Sequence, residues 1–190
     1  MNSPLIDHLQ LFGTIQEDHQ SLIDMSFEPK GFKEGEYLSR KGRTCRELFF
    51  VNKGVLKIVT TNQKGIDVIH FFIGENQCCT LLESFNNNTP ASECIQAACD
   101  TEVLSITNTG LLNLYDQLPY LENIFYEVWR SRLLKKVHLR NAYLGLDSMA
   151  RYKKFIELQH DVAGRVSSSD IASYLEITPQ SLSRIRKSMR

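Results

Sequence analysis

The sequence has no long apolar run, no secretory signal and no net charge. Its longest apolar stretch, 66–73, is interrupted by Asp67 and His70, whereas a membrane-spanning helix needs about 18 apolar residues. The first ten residues, MNSPLIDHLQ, lack the basic segment and apolar core of a secretory signal. We therefore expect a cytoplasmic protein that makes no contact with a membrane.

The cysteines do not form the paired motifs that bind metals or build disulfide frameworks. There are five of them, an odd number, and no two have the Cys-x-x-Cys spacing: Cys45, Cys78, Cys79, Cys94 and Cys99. This pattern argues against a disulfide scaffold and against a zinc or iron–sulfur site. We expect reduced, half-buried thiols, no metal and no catalytic cysteine.

The composition is that of a globular protein, but the charges are unevenly distributed. Of the 190 residues, 42% are hydrophobic and 23% are charged, and the formal net charge is zero. Residues 1–129 contain 9 Lys and Arg against 17 Asp and Glu, while residues 130–190 contain 13 against 5. The basic C-terminal part suggests a polyanionic partner, although a solvated helix face would show the same excess.

The pattern of apolar residues changes twice along the chain. The first 30 residues have the spacing of short helices, and 32–106 contains several short strand-like runs separated by turns such as Asn52-Lys53-Gly54. From about Leu111 onward, helical spacing dominates. We predict an α+β protein in which an antiparallel β-roll of the jelly-roll type precedes a helical C-terminal part.

A long helix is predicted from Tyr120 to Leu146, because this segment has no Pro and no Gly before Gly145. It has two apolar stripes: Phe125, Trp129, Leu133, Val137 and Leu144 form one, and Leu121, Ile124, Val128, Leu139, Ala142 and Leu146 form the other. One stripe can cover the β-roll, and the other fits a second copy of the helix, which predicts a homodimer. The alternative is one helix buried in its own domain.

A helix boundary follows at Gly145-Leu146-Asp147, where Asp147 is suited to cap a helix from Ser148 to about Gln159. We therefore predict three parts: 1–115 with the N-terminal helices and the β-roll, 116–146 with the dimerisation helix, and 147–190 with a small helical domain.

The last 22 residues have the pattern of a helix-turn-helix. Ile171 and Leu175 lie one turn apart on a first helix, and Thr178-Pro179 has the N-cap and first-turn residues that begin a second helix. Leu182, Ile185 and Met189 are predicted to form its inward stripe. Such motifs place the second helix in the major groove of DNA. Glu176 stands where a left-handed residue, usually Gly, is expected in the turn.

The outward side chains of the second helix have the chemistry of DNA contacts. Gln can pair with adenine and Arg with guanine, while Lys, Ser and Thr can contact phosphates. The predicted DNA-binding residues are Thr178, Gln180, Ser181, Ser183, Arg184 and Lys187. A structural helical hairpin could share the apolar spacing but would not need this cap and this outward chemistry.

The order of elements resembles the catabolite activator/FNR (Crp–Fnr) family of bacterial transcription regulators. The resemblance rests on 48–57, Gly74-Glu75, 102–106, Asp147 and 171–186. It implies a homodimer that binds a palindromic operator in double-stranded DNA, senses an effector in a cyclic-nucleotide-binding-like β-roll, and has RNA polymerase as a candidate partner. By position, Arg184 corresponds to an arginine that reads guanine, Gln180 to a base-contacting glutamate, and Thr178 and Ser181 to phosphate contacts.

The effector pocket implied by the resemblance contains Gly74, Glu75, Asn76, Ala91, Ser92 and Lys136. Members that bind cyclic AMP hold its phosphate with an Arg-Ser pair, and here that pair is Ala91-Ser92. A phosphodiester without the arginine loses a charge-assisted contact. We expect a small-molecule effector other than cyclic AMP, of unknown identity, and no defined cofactor. The alternative is a cyclic-nucleotide-responsive regulator in which Lys136 supplies the missing charge.

Three further functions stay open from the sequence. Haem ligation by His70 or His8 is one, although a single histidine is usually an ordinary surface or half-buried residue. A cupin-like enzyme is another, but it needs two closely spaced histidines and a carboxylate, and His70 is alone in its segment. A cyclic-nucleotide module that acts only through protein partners is the third, and the basic, base-reading residues after Thr178 argue against it. We expect no enzymatic activity.

Overall fold

The fold is an eight-stranded antiparallel roll with helices before and after it. A computed structural model describes residues 2–189; Met1 and Arg190, the outer ends of the first and last predicted domains, lie outside the described residues. The strands are β1 (Glu28–Phe32), β2 (Tyr37–Ser39), β3 (Glu47–Lys53), β4 (Leu56–Thr61), β5 (Asp67–Ile73), β6 (Gln77–Cys79), β7 (Cys94–Ala97) and β8 (Thr101–Thr107). The helices are α1 (Pro4–Gln10), α2 (Glu17–Met25), α3 (Leu82–Asn87), α4 (Asn108–Gln117), α5 (Tyr120–Tyr143), α6 (Ser148–Leu158), α7 (His160–Ala163), α8 (Ser168–Tyr174) and α9 (Pro179–Ser188).

The strands form two sheets of four, with orders β1-β8-β3-β6 and β2-β7-β4-β5. All neighbouring strands are antiparallel. This confirms the predicted antiparallel roll. Gly54 is required in the turn after β3, because its φ is +98° and a Cβ there would lie 2.5 Å from Thr101 Oγ1 and 2.6 Å from Asp100 O.

Apolar side chains are buried in three clusters. One lies between the two sheets and includes Phe49, Leu56 and Ile95. A second joins the first sheet to the N-terminal helices, α4 and the beginning of α5. The third lies between the second sheet and the C-terminal helices, and it includes Phe72 and Phe155. The helix-turn-helix is therefore packed against the roll of the same chain.

The apolar residues of the long helix α5 differ in burial between its two halves and not between its two predicted stripes. Apolar residues of both predicted stripes are buried in its first half, where Leu121, Phe125 and Val128 are at most 1% exposed. The second half leaves Leu133 and Val137 exposed, at 62% and 46%. The prediction that one whole stripe covers the roll is therefore wrong, because the second half of α5 contacts the roll through Arg132 and Lys136 and not through the apolar residues of a stripe.

The helix α5 ends three residues before the predicted Leu146. Leu144 is its C-cap with an extended backbone, and Gly145 has a φ of +72°. Asp147 caps α6 as predicted, since its carboxylate accepts a hydrogen bond from Ala150 N at 2.8 Å.

Polar contacts reinforce the packing of α8 against the roll. Lys57 Nζ on β4 lies 2.8 Å from Asp170 Oδ1 on α8, and the two side chains are only 12% and 14% exposed. Ile69 N on β5 donates to Ser173 Oγ at 3.1 Å. The Phe72 ring lies 5.1 Å from the Tyr174 ring, centroid to centroid. The first helix of the motif is therefore held by both polar and aromatic contacts.

Replacing Asp170 by Ala should destabilise the protein, because Lys57 would stay buried without its counter-ion. Breaking a buried ion pair at one partner costs about 3 kcal/mol, while replacing both partners by apolar residues costs far less. Urea unfolding should therefore show a large loss for Asp170→Ala and a much smaller one for Lys57→Met combined with Asp170→Leu. Equal losses in the two variants would contradict this explanation.

The unfolding free energy should fall as the pH decreases below about 6.5, with His8 as one cause. His8 packs against Phe12 and Phe50, and its buried Nε2 has no hydrogen-bond partner. Burial, assisted by the charge of Arg132, lowers the pKa of His8 below its ordinary value of 6.5. The unfolded chain therefore binds the proton more readily than the folded one as the pH falls through 6.5.

Urea unfolding at pH 7.5, 6.5 and 5.5 measures this dependence. His8→Gln should have a flatter profile than the natural chain, whereas Gln63→Ala, which replaces an exposed side chain that does not titrate, should keep the profile of the natural chain. The same slope in all three proteins would refute the assignment to His8.

Candidate nucleic-acid interface and effector pocket

The helix-turn-helix has the local structure that its sequence predicts. Ser167 caps α8, and Thr178 caps α9 by accepting a hydrogen bond from Ser181 N at 3.1 Å. Pro179 occupies the first turn of α9, where its missing N–H leaves no hydrogen bond unmade. Between the helices, Glu176 has a φ of +57°, which confirms the left-handed position predicted for the turn.

The inner face of the motif is mostly as predicted. Ile171, Ala172, Leu175, Leu182 and Ile185 are at most 8% exposed. Met189, the third residue of the predicted inward stripe, is 44% exposed. That part of the prediction is wrong because α9 ends at Ser188 and Met189 is only its C-cap.

The outer face of α9 is polar and open to solvent. Gln180, Ser183, Arg184 and Lys187 are all exposed, and their spacing places them opposite the buried Leu182 and Ile185. Within residues 2–189, neither Arg184 nor Lys187 has an ion-pair partner. Arg184 thus keeps its guanidinium donors for an external acceptor.

Two further predicted contacts lie at the beginning of α9. Thr178 Oγ1 and Ser181 Oγ lie 2.9 Å apart, Thr178 is exposed and Ser181 is half-buried. Helix N-termini with free N–H groups attract phosphate oxygens. The arrangement has Gln and Arg side chains, which can pair with bases, along the helix and hydroxyl groups at its start.

Arg186 supports the motif instead of facing outward. Its Nε donates to Tyr152 OH at 3.0 Å and its Nη1 donates to Ser168 Oγ at 2.6 Å. It therefore links α9 to α6 and to the start of α8. Helical periodicity could have indicated this role, because Arg186 lies four residues after the buried Leu182 and so on the same side of α9.

A cavity of about 290 Å³ lies between the roll, α5 and the segment after α6. Four of the predicted effector residues line it: Gly74, Glu75, Asn76 and Lys136. Ala91 and Ser92 are not among its lining residues. Ala91 is buried between the sheets and bonded through its backbone to Gly42 and Arg43, while Ser92 is exposed.

Glu75 is already engaged by the protein's own groups. Its carboxylate accepts from Gly54 N at 3.0 Å and forms an ion pair with Arg165, which follows α7. The hydrogen bond from Arg165, with a smaller contribution from Gly54 N, lowers the pKa of Glu75. Arg165 therefore joins the C-terminal helices to the turn that leads into β6.

Cations from α5 form the opposite wall of the cavity. Arg132 donates to Gln77 Oε1, and Lys136 Nζ lies 4.4 Å from the centre of the Phe71 ring. Burial lowers the pKa of both Arg132 and Lys136. Sequence reasoning identified Lys136 but missed Arg132, Lys135 and Arg165; the spacing of three and four residues on one helix was the available signal for the first two.

These residues do not fit the standard grip on a cyclic nucleotide. The resemblance assigns the position of the phosphate-binding arginine to Ala91, whose side chain is buried, and Glu75 is paired with Arg165. A cyclic phosphodiester in the cavity would have to be held by the cations of α5 instead.

Among the residues described, a site for a metal ion, a haem or a reactive thiol has less support than the helix-turn-helix face and the cavity. Within residues 2–189, no group of three or more His, Cys, Asp or Glu side chains is close enough to hold a metal ion. His70 Nδ1 lies 3.1 Å from Glu93 Oε1. The five cysteines are free, and burial raises the pKa of Cys78 and of Cys79 to about 12. Over the same residues, every helix is too short or too polar to span a bilayer.

Residues 29–118 match the family model of the cyclic nucleotide-binding domain. A search of curated protein sequences finds no significant match to the chain.

Solved structures of bacterial regulators have the same fold. A structure from Eubacterium rectale, assigned to the Crp/Fnr family of transcriptional regulators, is 16% identical, with a TM-score of 0.72 and coverage of 96% of this chain and 87% of that one. The c-di-GMP-responsive global regulator CLP of Xanthomonas campestris is 14% identical, with a TM-score of 0.67 and coverage of 92% and 91%.

The catabolite activator protein of Thermus thermophilus is 17% identical, with a TM-score of 0.59 and coverage of 94% and 85%. The similarity therefore extends over nearly the whole chain and includes the C-terminal helices. Residues 29–118 are thus similar to the cyclic nucleotide-binding domain, and the chain has the fold seen in solved structures of Crp/Fnr transcription regulators.

Proposed function

We propose that this protein is a homodimeric transcription regulator that binds a palindromic site in double-stranded DNA. The observation that carries the proposal is the outer face of α9, where Gln180, Arg184 and Lys187 are exposed above a well-capped helix-turn-helix. The Crp/Fnr fold and the family of the roll support it. Contact with RNA polymerase stays a prediction of the family resemblance.

The second half of α5 supports the proposed dimer. Leu133, Leu134 and Val137 leave apolar surface in water, at 62%, 52% and 46% exposure. A second copy of the same helix would bury this surface along a symmetric seam. Two helix-turn-helix motifs would then be related by a two-fold axis, as a palindromic site requires.

The cavity supports an effector other than cyclic AMP. Ala91 supplies no charge, Ser92 lies away from the cavity, and Glu75 is paired within the protein. The alternative of a cyclic nucleotide held by Lys136 keeps one supporting observation, namely that Lys136 lines the same cavity as Gly74 and Glu75. The cupin-like enzyme requires a group of metal ligands, and we do not propose it.

Arg184 should determine sequence preference, and Lys187 should determine general affinity. Fluorescence anisotropy with labelled genomic duplexes at low salt should give nanomolar to micromolar dissociation constants that rise steeply with salt. Arg184→Ala should lower the preference for the best duplex by about tenfold or more, because a bidentate arginine–guanine contact is lost. Lys187→Ala should weaken binding to all duplexes alike and reduce the salt slope by about 1.

Arg40→Ala is the matched control, since Arg40 is an exposed arginine on the roll that stacks on Tyr37. It should leave both preference and affinity unchanged. If the natural chain binds no duplex at low salt, or if Arg184→Ala behaves like Arg40→Ala, the proposed DNA contact is wrong.

Charges on the exposed half of α5 should separate the dimer. Leu133→Glu combined with Val137→Glu places two like charges on each side of the symmetric seam, where they are desolvated. Sedimentation velocity should show a dimer for the natural chain and a monomer for this variant, with a loss of DNA affinity. Leu112→Glu, at an exposed leucine of α4 with 53% exposure, should remain dimeric. A natural chain that sediments as a monomer at all concentrations would contradict the proposal.

A further inference from the structure

The loop that joins β2 to β3 concentrates positive charge at one edge of the roll. Residues 40–46 contain four of the nine Lys and Arg of residues 1–129 and no Asp or Glu. All four side chains are exposed: Arg40, Lys41, Arg43 and Arg46. Strand β2 is at the opposite edge of its sheet from β5, the strand that contacts α8. The basic loop is therefore separate from the face of the roll that packs against the helix-turn-helix.

Three of these arginines line a second cavity, of about 300 Å³, which we call the loop cavity. Its lining residues all lie between Tyr37 and Phe49, on β2, the basic loop and the beginning of β3. The residues that line the cavity beside Glu75 all come after Lys53. The loop cavity is therefore a candidate site of its own.

The arginines of the loop cavity have little negative charge to balance them. Glu47 is the carboxylate in the cavity wall, and it forms an ion pair with Lys30 on β1. Within residues 2–189, the guanidinium groups of Arg43 and Arg46 have neither a carboxylate at ion-pair distance nor a hydrogen-bond partner. Arg40 differs from them, because its guanidinium stacks on a tyrosine ring of β2, 4.0 Å from the ring centre. Arg43 and Arg46 thus keep their N–H donors for an external acceptor.

A buried hydroxyl group in the same cavity wall adds independent evidence for a polar ligand. Ser39 lines the loop cavity and is only 8% exposed, and within residues 2–189 its Oγ has no hydrogen-bond partner. Ser39 pairs with the buried Ile95 across the sheet, which places its side chain on the inner face of β2. A buried hydroxyl without a partner is unfavourable, and an anionic oxygen would accept its hydrogen bond.

Hydrogen bonds on the other side of the loop hold its backbone in place. Gly42 N donates to Ala91 O at 2.8 Å, and Ala91 N donates to Arg43 O at 3.0 Å. Cys45 N donates to Ser84 Oγ at 2.9 Å. A ligand would therefore meet a loop whose backbone is already ordered, and this lowers the entropic cost of binding.

We propose that the loop cavity binds a small anion bearing phosphate groups, held by the guanidinium groups of Arg43 and Arg46 and by the hydroxyl group of Ser39. Three donor groups call for three acceptor oxygens, which a terminal phosphate group has and a carboxylate lacks. The fork of a guanidinium also matches pairs of phosphate oxygens. A phosphate of a DNA duplex, flanked by its sugars, could reach the exposed arginines but not the buried Ser39 Oγ. The site does not depend on the proposed DNA-binding function.

Isothermal titration with pyrophosphate, at constant ionic strength and without DNA, tests the site. The arginine variant, Arg43→Gln combined with Arg46→Gln, should lower the affinity by about tenfold or more, since two charge-assisted contacts are removed. The lysine control, Lys41→Gln combined with Lys64→Gln, removes two exposed cations that do not line the cavity and should bind like the natural chain. Equal affinities in the three proteins, or no heat of binding in any of them, would overturn the proposal.

Ser39→Ala separates ligand binding from a structural role of the hydroxyl group. The variant should bind pyrophosphate about fivefold or more weakly, because a hydrogen bond to a charged group is lost. Without the anion it should melt at or above the temperature of the natural chain, because a buried polar atom without a partner is removed. A variant that melts lower and binds pyrophosphate as tightly as the natural chain would show that the hydroxyl is structural and would refute the proposed site.

Two comparisons test the class of the ligand. Succinate, a dicarboxylate, should bind about tenfold or more weakly than pyrophosphate, because each carboxylate offers two oxygens to three donor groups. Equal binding of the two anions would contradict the assignment to phosphate groups.

Anisotropy with labelled DNA should give the same affinity for the arginine variant and the lysine control. A loss of DNA affinity in the arginine variant alone, with no pyrophosphate binding by the natural chain, would assign the loop to the DNA backbone and overturn the proposal. Pyrophosphate binding by a chain that binds no DNA would refute the proposed function and leave the site intact.

Discussion

The inner face of the helix-turn-helix is buried in a core that it shares with the roll, and the rest of the molecule depends on this packing. Ile171 and Leu175 have no exposed surface beyond 1%, and they lie in the same cluster as Ile69 and Phe72 of strand β5. Burying a side chain of this size contributes about 2 kcal/mol. Because the apolar inner face of the motif is buried against the roll, the polar outer face of α9 is the face that a partner can contact.

Polar contacts also link the first helix of the motif to α5, and the C-terminal segment to the roll. Gln159 is buried, and its Nε2 lies 2.9 Å from both Tyr143 OH at the end of α5 and Tyr174 OH at the end of α8. The Glu75–Arg165 pair adds a second link on the side of the cavity. The end of α5 and the end of α8 are therefore joined through one buried amide group.

The sequence was most informative where local chemistry determines the backbone. Thr178 and Pro179 define the start of α9, and Asp147 defines the start of α6. Glu176, with its left-handed backbone, lies in the short turn between α8 and α9. These features depend on residues within one or two turns of each other. The strands of the roll were predictable for the same reason, since short apolar runs such as 48–51 and the turns between them are local features of the sequence.

Features that depend on distant contacts were not predictable. The apolar residues of α5 are buried in its first half and exposed in its second, and this difference depends on contacts with distant parts of the chain that a helical period does not contain. Met189 has the correct spacing for an inward residue but lies past the end of its helix. The separation of Ala91 and Ser92 from Glu75 depends on the backbone bonds of Ala91 to Gly42 and Arg43, far away in sequence.

Selection of bound duplexes from a fully randomised pool, followed by sequencing, tests the central claim most directly. A dimer that reads DNA with the outer face of α9 predicts enrichment of an inverted repeat whose half-site centres lie about 34 Å apart or an integer multiple of that distance. Enrichment of a motif without two-fold symmetry, or no enrichment at low salt, would contradict the account.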